Sequence, residues 1–172
     1  MTNQQIALIK TDLHTISVFV SNKPGVLLRI CLIFSRRAYN IESLVVSPAL
    51  DGHFSRITLT AQGSKSILDQ IIKQLNKLVD VVHAQEHSEQ NTVEKEFALI
   101  KVKSSKSTLA ELLQIIQHFR GNALDFSENS LIVQITGSSD KVDSCLEVFQ
   151  KYGIIELVRS GKMVMARGSE KT

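Results

Sequence analysis

Few of the residue types that cross-link a chain, stack on bases or span a bilayer occur in this sequence. Its 172 residues include two cysteines, two prolines, two tyrosines, seven phenylalanines and no tryptophan. Cys31 and Cys145 fall on apolar faces of expected helices and form no C-x-x-C pair, so both are expected to be reduced core residues rather than disulfide partners or metal ligands. No apolar run reaches the ~18–20 residues of a membrane span; the densest, Val26 to Phe34, is interrupted by Arg29. The leading MTNQQIALIK has its only basic residue after a short apolar patch, the reverse of a secretory signal. A cytoplasmic protein without membrane contact is the expectation.

Charge of either sign is equally unconcentrated. Lys and Arg total 20 against 17 Asp and Glu, a net charge of +3, and the excess divides almost evenly between residues 1–90 and 91–172. A nucleic-acid binder needs a basic footprint, and an RNA-recognition sheet needs aromatics on its third strand. The corresponding strand here reads Ser55-Arg-Ile-Thr-Leu-Thr60 and supplies none. Phosphate loops, dinucleotide fingerprints, nucleophile elbows and H-E-x-x-H are all missing, so no catalytic reading is supported. His83 and His87 are four apart on a segment that reads as strand running into linker, which does not bring two imidazoles together. No metal site is expected.

Apolar periodicity is what the sequence does have. His14 to Val20 alternates, with Ile16, Val18 and Val20 on one face and Thr15, Ser17 and Phe19 on the other. Ser21-Asn22-Lys23-Pro24-Gly25 breaks that strand, and Val26 to Arg37 follows as a helix through Leu27, Ile30, Cys31 and Phe34. Leu28, Leu32 and Ile33 lie off this stripe, which leaves an apolar face for a partner chain. Strands over Asn40–Ser47 and Ser55–Ala61 form a hairpin, Ile67 to Leu78 traces a second helix, and Val79 to Val82 reads as a fourth strand. The polar, aperiodic Gln85–Glu96 marks a domain boundary.

Beyond it the order repeats: strand Phe97–Val102, a helix over Leu109–Phe119 closed by Gly121, strands Ala123–Phe126 and Leu131–Thr136, a helix through Val142 and Phe149, and strand Ile154–Val158. The expectation is an α+β chain of two tandem ferredoxin-like βαββαβ units, over residues 12–88 and 95–169. The outer face of the first sheet, with Ser17, Phe19, Arg56, Thr58 and Thr60, is expected to be free or to form a dimer seam. Many functions share this fold. The loop before the first helix is the one chemical lead. Helix N-terminal N–H groups hold a carboxylate, Gly25 permits close approach, and Asn22 and Asn40 could offer amide oxygens to an ammonium group. From spacing alone, Asn22 as a helix cap and Asn40 as a turn residue is the favoured reading over a ligand site.

Two runs carry a resemblance, N22-K-P-G-V-L-L-R29 and F34-S-R-R-A-Y-N-I-E-S-L44, joined by F119-R-G121, R159-S-G161 and R167-G168. Over about residues 13–169 they resemble the small regulatory subunits of acetolactate synthase (acetohydroxyacid synthase), whose N-terminal unit is an ACT domain. The resemblance implies a non-catalytic subunit that activates a separate catalytic large subunit in branched-chain amino-acid biosynthesis and confers feedback inhibition by valine. It implies that thiamine diphosphate, FAD and Mg²⁺ belong to the catalytic chain, with no cofactor here. It further implies a homodimer through the ACT domain, with valine at the seam between the loop of one chain and the helix-to-strand segment of the other, held by Asn22, Gly25 and Asn40 and flanked by Pro24, Val26 and Ile41. Arg120, Arg159 and Arg167 are the implied contacts to the catalytic subunit. A tandem ACT amino-acid sensor acting on another partner is the alternative. Family members commonly carry Gly where this chain has Ala38, so the helix end either closes differently or stores roughly 1 kcal/mol of strain.

Overall fold

A computed structural model describes residues 13–88, 90–169 and 172. The N-terminal polar leader and residue 12 lie outside these residues. The chain forms two compact units, one comprising the described residues up to Val93 together with Gly161–Thr172, the other Glu94–Ser160.

The first unit runs β1 (Leu13–Ser21), α1 (Val26–Ser35), β2 (Ile41–Pro48), β3 (Phe54–Gln62), α2 (Lys65–Leu75) and β4 (Val81–His87). Its antiparallel sheet has the order β2-β3-β1-β4, the ferredoxin-like arrangement. The alternation read from β1 is why: Ile16 and Val18 are fully buried, opposite Leu59 and Ile57 of β3. Ile30 and Phe34 of α1 and Leu68, Ile71 and Leu75 of α2 complete the same core. Each large apolar side chain buried this way contributes roughly 1.5–3 kcal/mol.

The chain continues with β5 (Thr92–Lys103), α3 (Leu109–His118), β6 (Asn122–Phe126), β7 (Ser130–Gly137), α4 (Ser139–Gln150) and β8 (Ile154–Arg159), in the sheet order β6-β7-β5-β8. Ile100, Val133, Leu112, Val142, Cys145 and Phe149 pack its core. The βαββαβ pattern is thus present twice.

Several details depart from the sequence reading. The expected linker is mostly strand: β4 reaches His87 and β5 starts at Thr92. Its polar residues pair across strands instead of facing solvent, with His14 Nδ1 at 2.7 Å from Glu86 Oε1 and His87 Nε2 at 2.6 Å from Ser17 Oγ. A short strand, β9 (Met163–Ala166), pairs with β5 and was not anticipated. The sequence boundary counts this segment with the second repeat; Gly161–Thr172 clusters with the first unit.

That segment also explains why the outer face of the first sheet is not free. Ser17, Thr58 and Thr60 are buried there. Gly161 sits on Ser43, and Arg56 Nη1 donates to the Thr172 carbonyl at 2.7 Å. Arg56 also lies over the Phe19 ring, which stacks on Phe54.

Both repeats close their first helix in one way. Tyr39 N–H bonds Phe34 O and Ala38 N–H bonds Ser35 O; Gly121 N–H bonds Ile116 O and Arg120 N–H bonds Gln117 O. These are paired Schellman closures with Ala38 (φ 53°) and Arg120 (φ 50°) in the left-handed position. Gly121, expected to close this helix, follows the left-handed residue and is not itself left-handed; a side chain there would strike Gln134 O at 2.8 Å and Ile135 Cδ1 at 2.4 Å. Left-handed backbone costs a side-chain-bearing residue about 1–2 kcal/mol, partly offset by the chain entropy that glycine adds to the unfolded state. Ala38→Gly and Arg120→Gly are each expected to stabilise their unit by about 0.5–1 kcal/mol in urea unfolding.

The cysteines differ in a way the sequence did not separate. Both are free thiols, Cys145 buried in the second core and Cys31 only half-buried on α1, so Cys31 is not a core residue. Burial pushes the Cys145 thiol up to about 12, with the nearby Lys141 opposing weakly. Below pH 9.0 folded and unfolded chains both keep that proton, whereas between 9.0 and about 12 only the unfolded chain loses it. Stability contributed at this site is accordingly lost as pH rises through that window. At pH 8 a maleimide is expected to label Cys31 and spare Cys145 until the chain unfolds, as read by mass spectrometry.

Candidate effector-binding site

The loop between β1 and α1 is held by backbone geometry. Asn22 N–H donates to His53 O at 2.8 Å and its side-chain Nδ2 to Gly52 O at 3.0 Å, tying the loop to the β2–β3 turn. Asn22 therefore does not cap α1. The cap position is Gly25, left-handed at φ 81°, and no side chain caps the helix or places a carboxylate in its first turn. A side chain at 25 would find space but not an allowed backbone, so the glycine is required for its φ. An uncapped helix start favours an anion. One turn on, Arg29 adds a cation, shared with Asp80 Oδ2 at 2.5 Å.

The helix-to-strand segment forms the second element. Tyr39 is buried and its hydroxyl donates to Ser64 O at 2.7 Å; its ring fills the space over Gly63, where any Cβ would fall 2.0 Å from it. This anchor turns Asn40 outward. Asn40 is exposed, and its Nδ2 donates to Glu42 Oε1 at 2.7 Å. Its amide oxygen is a ready acceptor for an ammonium group. Asn40 and Ile41 border an open depression of about 440 Å³, lined also by Cys31, Phe34, Ser35, Ala38 and Tyr39.

The six residues singled out from the sequence do not converge within one chain. Asn22, Pro24 and Gly25 stand at the start of α1 and Asn40 and Ile41 beyond its end, and a ten-residue helix separates them by about 15 Å. Val26 is buried in the core. Cys31, Phe34 and Ser35 went unnoticed as lining residues, although their spacing of three to four along α1 places them on one helix face, and the left-handed Ala38 joins them from beyond the helix end.

The three arginines have different surroundings. Arg120 is exposed at the left-handed position after α3. Arg167 Nε donates to Thr92 O at 3.1 Å. Arg159 is bound within the second unit: its Nε and Nη2 both donate to Glu96 Oε2, and its Nη1 donates to Asp143 Oδ1 at 2.7 Å. Burial alone would lower the Arg159 pKa, but the hydrogen bonds to Glu96 and Asp143 outweigh it and hold the guanidinium above its ordinary value. Among the described residues, no group of three or more His, Cys, Asp or Glu is placed to hold a metal, and no helix is long and apolar enough to cross a membrane.

Comparison with known proteins bears on both units. Residues 16–83 match the model of the ACT domain of acetohydroxyacid synthase small subunits, and residues 95–168 match that of the small subunit of acetolactate synthase. A probable acetolactate synthase small subunit from Archaeoglobus fulgidus is 41% identical over 158 residues, covering 92% of this chain and 99% of that protein. The acetolactate synthase small subunit of Mycolicibacterium smegmatis is 41% identical, with 92% and 93% of the two chains covered. The crystal structure of the Thermotoga maritima acetolactate synthase small subunit superposes with a TM-score of 0.82 at 34% identity, covering 92% of this chain and 99% of that one. Two matched units in the same order, near full-length coverage and a shared tandem fold lead to one conclusion: this chain belongs to the acetolactate synthase small-subunit family.

Proposed function

We propose that the chain is a regulatory subunit that activates a catalytic large subunit of acetolactate synthase and transmits feedback inhibition by valine. The observation that carries this reading is the division of the site into two halves by α1. The uncapped helix start at Gly25, reinforced by Arg29, suits an amino-acid carboxylate, and Asn40 suits an ammonium group. The depression beside Ile41 and Phe34 suits a small branched side chain. Separated by about 15 Å on one chain, the halves can meet across a pair of chains, the loop of one facing the helix-to-strand segment of the other.

A second copy has an apolar surface to meet, because Leu27, Leu28 and Leu32 of α1 are exposed. In this reading the thiamine diphosphate, FAD and Mg²⁺ of the reaction reside in the catalytic chain. This chain acts in the cytoplasm by binding, not by chemistry. The test is acetolactate formation by the cognate catalytic subunit with increasing amounts of this chain. A saturable rise in rate is expected. An unchanged rate at saturating chain would reject the reading in favour of an amino-acid sensor for another partner.

A further inference from the structure

The segment Gly161–Thr172 carries a relationship that effector binding alone does not require. Gly161 is buried and left-handed at φ 78°, and a Cβ built on it would fall 2.6 Å from both the Cβ and the Oγ of Ser43. Its backbone therefore rests directly on β2. Ser43 cannot easily turn away, since its hydroxyl is held by Thr60 Oγ1 at 2.7 Å. The contact lies three residues from Asn40, where the β2–β3 register slips between Ile41 and Ser43. On its other side, Gly161 follows a stretch of the second unit that is held by several bonds. Ser160 N–H bonds Phe97 O at 2.9 Å, Phe97 N–H bonds Ser160 Oγ at 3.0 Å, and Arg159 is clamped by Glu96 and Asp143.

We propose that Gly161 is the coupling residue that passes occupation of the effector site from β2 to the second unit. The inference rests on the effector reading above. A shift of β2 when Asn40 takes a ligand would act on Gly161, because the residue packs against Ser43 with no room for a side chain between them. Movement of Gly161 is then delivered by one covalent link to Ser160 and the β5–β8 pairing. A ligand biases such an element only to the extent that it binds one arrangement better than the other. The coupling expected from a contact of this kind is of the order of 5–150-fold in affinity or response.

The test separates binding from its consequence. Valine binding to wild type, Gly161→Ala and Ser43→Gly is measured by calorimetry, and inhibition is measured after each is assembled with the cognate catalytic subunit. Gly161→Ala inserts a side chain into Ser43, and Ser43→Gly opens a gap beneath an unstrained Gly161. Both are expected to bind valine within about twofold of wild type, with the valine needed for half-inhibition raised about tenfold or more. If Gly161→Ala does not fold, judged by circular dichroism, Ser43→Gly decides the matter. Inhibition unchanged from wild type, or binding and inhibition weakened in parallel, would overturn the inference while leaving the effector reading in place. Wild-type protein that neither binds valine nor confers inhibition would overturn the effector reading, and this inference with it.

Discussion

Asn40→Ala is expected to raise the valine concentration required for half-inhibition of the assembled enzyme at least about tenfold, with activation of the catalytic subunit retained. The size follows from the bond removed: a hydrogen bond to a charged group is worth about 1.5–3 kcal/mol, or roughly 10- to 150-fold in binding. Little else in the molecule depends on this side chain. Asn40 is exposed, and among the described residues its side chain bonds Glu42, two residues away. The helix closure beside it is made by backbone atoms of Phe34, Ser35, Ala38 and Tyr39. Valine titrations of the variant and wild-type complexes provide the check. Loss of activation together with inhibition would show that Asn40 supports the fold and not a ligand.

Arg159→Ala is expected to destabilise the second unit by about 2–4 kcal/mol in chemical denaturation. Glu96 is the reason. Its side chain is 7% exposed, and without Arg159 the carboxylate would retain, among the described residues, the Ser139 hydroxyl at 2.6 Å. Breaking a buried ion pair costs more than the pair contributes, because one charge is stranded; the partial exposure of Arg159 moderates the loss. Replacing both partners, as in Arg159→Met with Glu96→Leu, is expected to recover most of it. A single variant within about 0.5 kcal/mol of wild type would contradict this reading. The consequence for mapping the partner surface is practical. Lost activation in Arg159→Ala would report a weakened fold, so Arg120 and Arg167 are the cleaner probes of contact with the catalytic subunit.

What the sequence revealed, and what it hid, follows from the range of each interaction. Alternation in β1 and the three-to-four spacing in α1 to α4 are local, so the two repeats were legible as they stand. Glu86, His87 and Glu96 looked like linker because their strand character rests on cross-strand partners, His14, Ser17 and Arg159, 63 to 72 residues away. The covered outer face was hidden for the same reason, since Arg56 meets Thr172 across 116 residues. At the site, residue types pointed to Asn22, Gly25 and Asn40, and the expected helix between them already set the two asparagines at opposite ends of α1; the depression beside Asn40 and the carbonyl that holds Asn22 were not legible. The capping alternative for Asn22 gave way to a turn carbonyl, Gly52 O, that no spacing rule identifies. Ala38 illustrates a question the sequence posed and geometry answers: the helix closes through the same left-handed step, with alanine bearing the strain.

The most direct test of the account is a valine titration of acetolactate formation by the catalytic subunit, alone and with this chain at saturation. The expected result is a higher rate with the chain present, and inhibition by valine that appears or sharpens only in its presence. A catalytic subunit that responds identically to valine with and without the chain would contradict it.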